Sequence, residues 1–434
     1  MIKKLVLVFI AVIAIHGYGQ QGTTSPYSFY GIGSLKFKGT VENRSMGGLS
    51  IYSDSIHVNL RNPASYAGEN LETWGGKSRP VKFAVGGSYS NTNLLSSNSK
   101  ANASSATFDY LAVNIPVGKF GFGFGLMPFT SVGYKLEALN DAGDLGSRFE
   151  GEGGLNKAFL GFGYQLVKGL SVGVDFQYNF GNIQNSIIGF QYDNGLPTQS
   201  QSRESNRSDL SGLNLNFGLS YKALIGEKLE IVSSVIYRPE GVIKSKNVRS
   251  ISTVTVSASN QVFEIDTIDG NLAARGLDET DVVLPSKLTF GAGIGSPRKW
   301  FVGAETTFLK TSSFSNDLVD NGTTYEDAYS FSLGGFYIPQ YNSFSKYWKR
   351  MVYRAGIRTE ETGLNINNES IKEFGISFGV GIPVGESRLL SNANFGLEIG
   401  KRGTTNSNLI QENFMNFQIS LSLNDRWFVK RKYD

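Results

Sequence analysis

Stretches of this chain place an apolar residue at every second position, with small or polar residues between. Leu213, Leu215, Phe217, Leu219 and Tyr221 alternate with Asn214, Asn216, Gly218, Ser220 and Lys222. Phe120, Phe122, Phe124 and Leu126 alternate with Gly121, Gly123 and Gly125. Leu170 to Phe180 and Met415 to Leu423 repeat the pattern. Side chains along a strand face opposite sides in turn, so each segment has one greasy and one uncrowded polar face. Runs of roughly ten such residues suit a tilted strand with lipid on one side and a polar lumen on the other. Soluble sandwiches also alternate. Segment length and repetition favour an all-β fold, a transmembrane antiparallel β-barrel.

The first residues sharpen that choice. Lys3 and Lys4 precede an apolar core from Leu5 to Ile15, and Gly17 and Gly19 supply a small-x-small cleavage site. This is the pattern of a cleaved export signal over residues 1–19. Its core is too short to span a bilayer as a helix. No cysteine follows it, which excludes a lipid-anchored lipoprotein. No run of about 18 apolar residues occurs anywhere, so an ordinary helical membrane protein is excluded too. A closed barrel is then the way this chain can cross lipid, because an open sheet would leave unpaired amides in hydrocarbon.

Composition adds a little. Without cysteine there are no disulfides, thiol nucleophiles or thiolate metal sites. The formal charge of +4 falls by two when Lys3 and Lys4 leave, and a near-neutral chain suggests no nucleic-acid partner. The 30 Phe and 20 Tyr suit aromatic girdles at the two interfaces. Trp300-Phe301, Tyr347-Trp348 and Trp427-Phe428 each sit beside Lys or Arg, as interfacial anchors do.

Alternation is missing between the signal and about residue 79. Some sixty residues cannot bury a good core alone, so 20–79 is read as a hatch packed in the barrel mouth and 80–434 as the barrel. Strands are expected at 81–90, 105–116, 119–132, 155–166, 170–181, 211–223 and 228–239. Seven more fall at 283–295, 299–310, 328–339, 351–360, 372–383, 390–400 and 412–424. Short links alternate with long polar ones at 91–104, 133–153, 182–210, 311–327, 361–371 and 401–411. Short turns belong at the periplasmic rim and long loops outside. Parity then requires 240–282 to hold no crossing or two. The reading is fourteen strands, with 240–258 and 276–282 extending their neighbours beyond the membrane; sixteen is the alternative. The terminal strand, followed by Trp427 and Phe428, is an imperfect recognition element for the barrel-assembly machinery.

Several segments resemble the FadL-type outer-membrane transporters of long-chain fatty acids and other hydrophobic compounds. Arg44-Ser45-Met46-Gly47-Gly48 followed by Asn62-Pro63-Ala64 is similar to that family's R-x-M-G-G … N-P-A-G pattern, with Ser65 in place of the last glycine. Gly123 to Phe129 resembles its third strand, Leu284-Pro285-Ser286-Lys287 with Trp300 a later hairpin, and Tyr353 to Gly356 and Gly379 to Pro383 two late strands. The resemblance implies a fourteen-stranded barrel sealed by an N-terminal hatch carrying Gly47, Gly48, Asn62, Pro63 and Ala64. It also implies a sideways exit beside an inward kink in the third strand. Pro128 supports the kink independently, since it removes a ladder donor and favours a bulge or an edge; a strand end near the interface would place it equally well. Gly121, Gly123 and Gly125 would leave room on the lumen side for a plug segment to approach. The family's fatty-acid-contacting residues do not carry over.

Catalytic chemistry is thin. Asp54, Ser55 and His57 superficially suggest a triad, but strand geometry turns residue 54 away from 55 and 57, and no oxyanion element is visible. Counting Asp141 as the first ligand of a calcium loop puts Gly143 and Leu145 where side-chain oxygens are needed. No enzyme activity, metal or cofactor is expected. Two functions remain: an outer-membrane channel for passive uptake of hydrophobic small molecules, or an accessory barrel in an outer-membrane secretion or assembly complex. The expected partners are the bilayer, a hydrophobic ligand, the barrel-assembly machinery and other proteins of such a complex.

Overall fold

A computed structural model describes residues 22–67, 80–226, 228–257, 259–316, 318, 323–384 and 391–425. The export signal, residues 68–79 and the pair Trp427-Phe428 lie outside the described residues.

The described residues form a closed barrel of fourteen antiparallel strands. In chain order they are β1 (Val81–Leu95), β2 (Lys100–Val117), β3 (Phe120–Pro128 and Thr130–Leu139), β4 (Leu145–Val167) and β5 (Leu170–Gly189). Next come β6 (Gln201–Ile225), β7 (Leu229–Arg238 and Gly241–Val256) and β8 (Val262–Asp269, Glu279–Leu284 and Lys287–Ser296). The circuit continues with β9 (Trp300–Leu309), β10 (Ala328–Tyr337), β11 (Val352–Ile366), β12 (Glu369–Pro383), β13 (Asn392–Arg402) and β14 (Gln411–Asp425). β14 pairs with β1 from Val81↔Asp425 to Leu95↔Gln411, which closes the wall. An even strand count brings the first and last wall strands to the same rim.

Alternation maps onto the wall as expected. Leu213, Phe217, Leu219 and Tyr221 are exposed on the outer face, while Asn214 and Asn216 are buried inside. The segment 240–282 adds no crossing: its strands continue β7 and β8 upward, in the register Gly241↔Leu284 to Lys246↔Glu279. Pro239 and Pro285-Ser286 interrupt those strands where proline removes a ladder donor.

Most of the expected long links are strand. β1 and β2 run on to a turn at 96–99, β5 reaches Gly189 and β6 starts at Gln201. β11 and β12 meet at Asn367-Asn368, both with positive φ, a conformation that Asn tolerates in tight hairpins. The apolar alternation stops where lipid stops. Backbone pairing, which needs no greasy face, carries on into water. One expected interfacial anchor also points elsewhere: Phe301 is fully buried in the lumen, with Tyr52 at 4.9 Å and Phe336 at 6.0 Å between ring centroids.

Candidate functional site

Residues 22–67 pack against the inner wall at two seats of matched glycines. In the first, Gly121, Gly163, Gly173 and Gly218 lie in one register row across β3, β4, β5 and β6. The turn Asn62-Pro63-Ala64-Ser65-Tyr66 sits on this row. A Cβ on Gly121 would collide with the Tyr66 carbonyl, on Gly173 with Pro63, and on Gly218 with the Asn62 side-chain oxygen. On neighbouring Gly123 it would lie 2.7 Å from the Tyr66 ring. Gly125 plays no part here, since its Cβ would meet Leu111 and Phe159 of the wall. Asn62 shapes the turn: its Oδ1 accepts from the Ala64 N–H at 3.0 Å, and its Nδ2 donates to the Leu219 carbonyl at 3.3 Å. Pro63 opens the following helical turn, where its missing N–H costs nothing.

The second seat faces β10 to β12. A Cβ on Gly334 or Gly356 would strike the Met46 backbone, and one on Gly47 the Ile357 carbonyl. Gly47 and Gly48 have φ of +72° and +92°, which L side chains rarely adopt. The Gly47 N–H donates to Ser377 Oγ at 2.9 Å, and the Gly48 N–H to the Asn43 carbonyl at 2.8 Å. Both sequence motifs are therefore backbone-to-backbone seats.

Ion pairs tie the segment to the wall between these seats. Arg44 reaches Asp109 and Glu398, each at 3.4 Å, and Arg61 reaches Glu305 at 2.8 Å. Lys38 binds Glu373 at 2.7 Å, and Arg358 joins the same cluster through Glu373 and through Glu398 at 2.7 Å. His57 Nδ1 lies 2.7 Å from Asp54 Oδ2, and the Ile56 and His57 N–H groups donate to Asp54 Oδ1 at 2.8 and 2.7 Å. Burial pushes the Asp54 carboxyl up, but His57 and Lys82 outweigh it and hold the group well below the usual carboxylate range. Lys82 Nζ donates to the Asp54 and His57 carbonyls at 2.7 and 2.9 Å. No hydrogen bond joins Ser55 to His57 among the described residues, so this cluster fastens the segment and forms no triad. No group of three or more potential metal ligands occurs among the described residues.

The wall is incomplete at β3. Pairing between β2 and β3 runs from Val117↔Phe120 to Leu111↔Leu126 and stops. Beyond it, Lys100 to Tyr110 of β2 pair with β1 alone among the described residues. β3 breaks between Pro128 and Thr130 and resumes along β4 from Val132↔Gly153. Gly153 and Gly154 of β4, with φ of +108° and +139°, take up the bend. The freed edge of β3 is partly taken by the two-residue strand Ser34–Leu35, which pairs with Ser131 and Thr130. The next N–H, of Lys36, donates to the Phe129 carbonyl at 3.0 Å. Burial pushes the Lys36 ammonium down to about 8, with Asp109 pulling the other way.

A cavity lies in the lumen beside this segment of β3. Leu35, Phe37, Leu60, Met127, Phe129 and Phe159 form its apolar side, with Met127 and Phe129 flanking Pro128. Gly47, Gly48, Arg61, Lys157, Arg238 and Lys287 are among the residues that line its remainder. Lys157 Nζ lies 4.4 Å from the centre of the Phe129 ring. Asn62, Pro63 and Ala64 do not line this cavity; they stand behind it, on the glycine row. Sequence reasoning missed the ion-pair cluster, the Ser34–Leu35 strand and the role of Tyr66. The available signal was the set of lumen-facing glycines recurring at one height in successive strands.

Solved structures share the fold at low identity. The TodX monoaromatic hydrocarbon channel deltaS2S3 mutant superposes with a TM-score of 0.58 at 16% identity, over 89% of this chain and 99% of that one. The Ralstonia pickettii toluene transporter TbuX gives 0.57 at 14% identity, over 90% and 99%. A Pseudomonas aeruginosa FadL homologue gives 0.56 at 10% identity, over 90% and 98%. No curated relative matches the sequence. The family model described as BamG matches residues 1–434, and the chain belongs to that family.

Proposed function

We propose that this protein is an outer-membrane conduit for hydrophobic small molecules with one polar end, released sideways through the wall at β3. The observation that carries the reading is the coincidence of three features at one place. Pairing between β2 and β3 ends, β3 breaks after Pro128, and Met127 and Phe129 on either side of that proline line the apolar side of the lumen cavity. An apolar solute gains nothing from an aqueous pore, whereas a gap in the wall hands it to the bilayer. In this reading residues 22–67 are the hatch. Gly47 and Gly48 border the path, while Asn62, Pro63 and Ala64 anchor the hatch to β3–β6. Solved structures that share the fold include a monoaromatic hydrocarbon channel and a toluene transporter, which supports a hydrophobic cargo. A mixed lining of Phe, Met, Lys and Arg fits an amphiphile better than a bare hydrocarbon.

The test is uptake of a fluorescent fatty-acid analogue by proteoliposomes holding the full chain. Transport that survives in the parent and drops when the β2–β3 gap is bridged by a cysteine pair supports the route. Equal uptake with the gap bridged overturns it. A second reading, an accessory barrel in an outer-membrane assembly complex, is favoured by the family description BamG, which hints at assembly. It predicts no uptake by the purified protein and co-purification with other barrels from mild detergent.

A further inference from the structure

The lipid-facing belt ends early on one flank of the barrel, and the sheet does not. On β7 the outward Tyr237 and Val242 are followed by Lys244 and Lys246, paired with Asp281 and Glu279 of β8 at 2.7 and 3.4 Å. On β6 the outward Arg207 and Asp209 pair at 3.0 Å just beyond Leu213. Charged pairs on the outer face mark the end of the hydrocarbon. Above them β7 and β8 continue as a hairpin, in the register Ser250↔Asp269 to Val256↔Val262 with a bulge at Ile265.

Here apolar side chains are exposed again. Phe263 and Ile268, 55% and 60% exposed, share the face of Ile251, opposite by alternation to that of Lys244, Lys246 and Val248, while Ile265, 62% exposed, sits in the bulge. Val262–Asp269 is also an edge: among the described residues it pairs with β7 alone, and β8 next meets a strand on its other side only at Val282↔Asn316. Sheet edges of soluble regions are normally blunted by lysine, proline or cover, because a bare row of amides and carbonyls recruits another strand. This edge carries acid instead. Glu264 is paired with Arg203 at 3.1 Å. Asp266 and Asp269 accept only neighbouring backbone N–H groups, of Thr267 and Asn271, and make no ion pair among the described residues.

We propose that the Val262–Asp269 edge is a docking strand for an extended segment of another protein, one that carries Lys or Arg alternating with β-branched residues. Adding a strand to this edge would satisfy its free backbone groups and cover Phe263 and Ile268, the usual logic of β-augmentation. Charge selects the occupant. A second copy of the same edge would set Glu264, Asp266 and Asp269 against themselves, and like charges across a strand pair are destabilising. Lipid is excluded by the ion pairs that separate this patch from the belt. A strand with its cations on one face meets Asp269, whose face Glu264 shares, while its β-branched residues cover Phe263 and Ile268 on the face of Asp266. The inference does not depend on transport, since the hairpin lies outside the lumen.

The experiment uses the full chain in nanodiscs and an acetylated peptide alternating Lys and Val, with a Glu/Val peptide as its counterpart. Fluorescence anisotropy should show saturable binding of the Lys peptide. Binding should weaken at least tenfold both in Ile265→Pro, which blocks the edge, and in the double variant Asp266→Lys with Asp269→Lys. The double variant should now bind the Glu peptide. Both variants alter a hairpin outside the barrel, and heat-modifiable migration on gels verifies that the barrel itself folds. Equal binding of both peptides to the parent, or Lys-peptide binding unchanged in both variants, overturns the proposal. So does a parent dimer that Ile265→Pro dissociates, which would make a second copy the occupant. Quenching of an Ile265→Trp variant by brominated lipid would make the patch part of the membrane belt and overturn it as well.

Discussion

Gly121 of β3 faces the Tyr66 carbonyl so closely that even a methyl group on its α-carbon would overlap the oxygen. Tyr66 is in turn fully buried and reports the same crowding from the other side, its ring lying against Gly123 and Gly161. The wall and the N-terminal segment are thus in backbone contact, and neither can change there without the other moving.

Gly121→Val and Gly218→Val should each unseat the Asn62 to Tyr66 turn while the barrel still closes. Overpacking of this kind costs about 1–3 kcal/mol, and the ladder of the wall is much larger than that. Planar-bilayer recordings should show higher ion conductance than the parent. Gly189→Ala, where a Cβ meets nothing within 4 Å, should behave like the parent.

Pro128→Val should restore a ladder donor at the break of β3 and reduce uptake of a fatty-acid analogue in proteoliposomes by several-fold, with assembly unchanged. Substituting Asn62 by Trp tests the other half of the mechanism. Because the turn is an anchor, the variant should raise ion conductance; lowered uptake with conductance unchanged would instead place the turn on the path.

Arg358→Ala should be among the most destabilising single changes in the lumen. It takes from Glu373 and Glu398, which are 5% and 4% exposed, the guanidinium they share, leaving Lys38 with the first and Arg44 with the second. Leaving a buried charge wholly uncompensated costs about 3–5 kcal/mol, and the remaining cations keep the loss below that. Urea unfolding in detergent micelles measures the loss, and Arg358→Ala with Glu398→Gln should recover part of it.

Acid should loosen the segment at the Asp54–His57 lock. The Asp54 carboxyl is held below its ordinary value of 3.8, so its contribution is complete above that value and fades as pH falls further. Conductance should stay flat from about pH 7 to 5 and rise below about pH 4. At the alkaline end the sign is different. Lys36 is depressed to about 8, so its charged form costs the folded state below that pH, and stability should grow as pH rises from there toward 10.5. Lys36→Met should flatten that alkaline limb in thermal melts.

Alternation of Leu213 to Tyr221 and of its thirteen sister segments was enough to specify closure and which face meets lipid, and narrowed the count to fourteen strands or sixteen. These follow from the period of a strand and from the cost of an unpaired amide in hydrocarbon. Parity handled 240–282 for the same reason: a closed antiparallel wall cannot absorb a single extra crossing. Motif spelling marked Gly47, Gly48, Asn62, Pro63 and Ala64 as special, and Pro128 as a break. The rest belonged to the tertiary structure. Which glycines form a seat depends on register, since Gly121, Gly163, Gly173 and Gly218 become neighbours only when four strands pair as they do. Lumen ion pairs such as Arg44 with Glu398 join residues far apart in the chain, and only closure brings them together. The extension of β7 and β8 beyond the membrane followed from parity, whereas the continuation of β1, β2, β5 and β6 through expected loops escaped detection, because hydrophobic patterning records where lipid ends, while backbone hydrogen bonds record where the sheet ends.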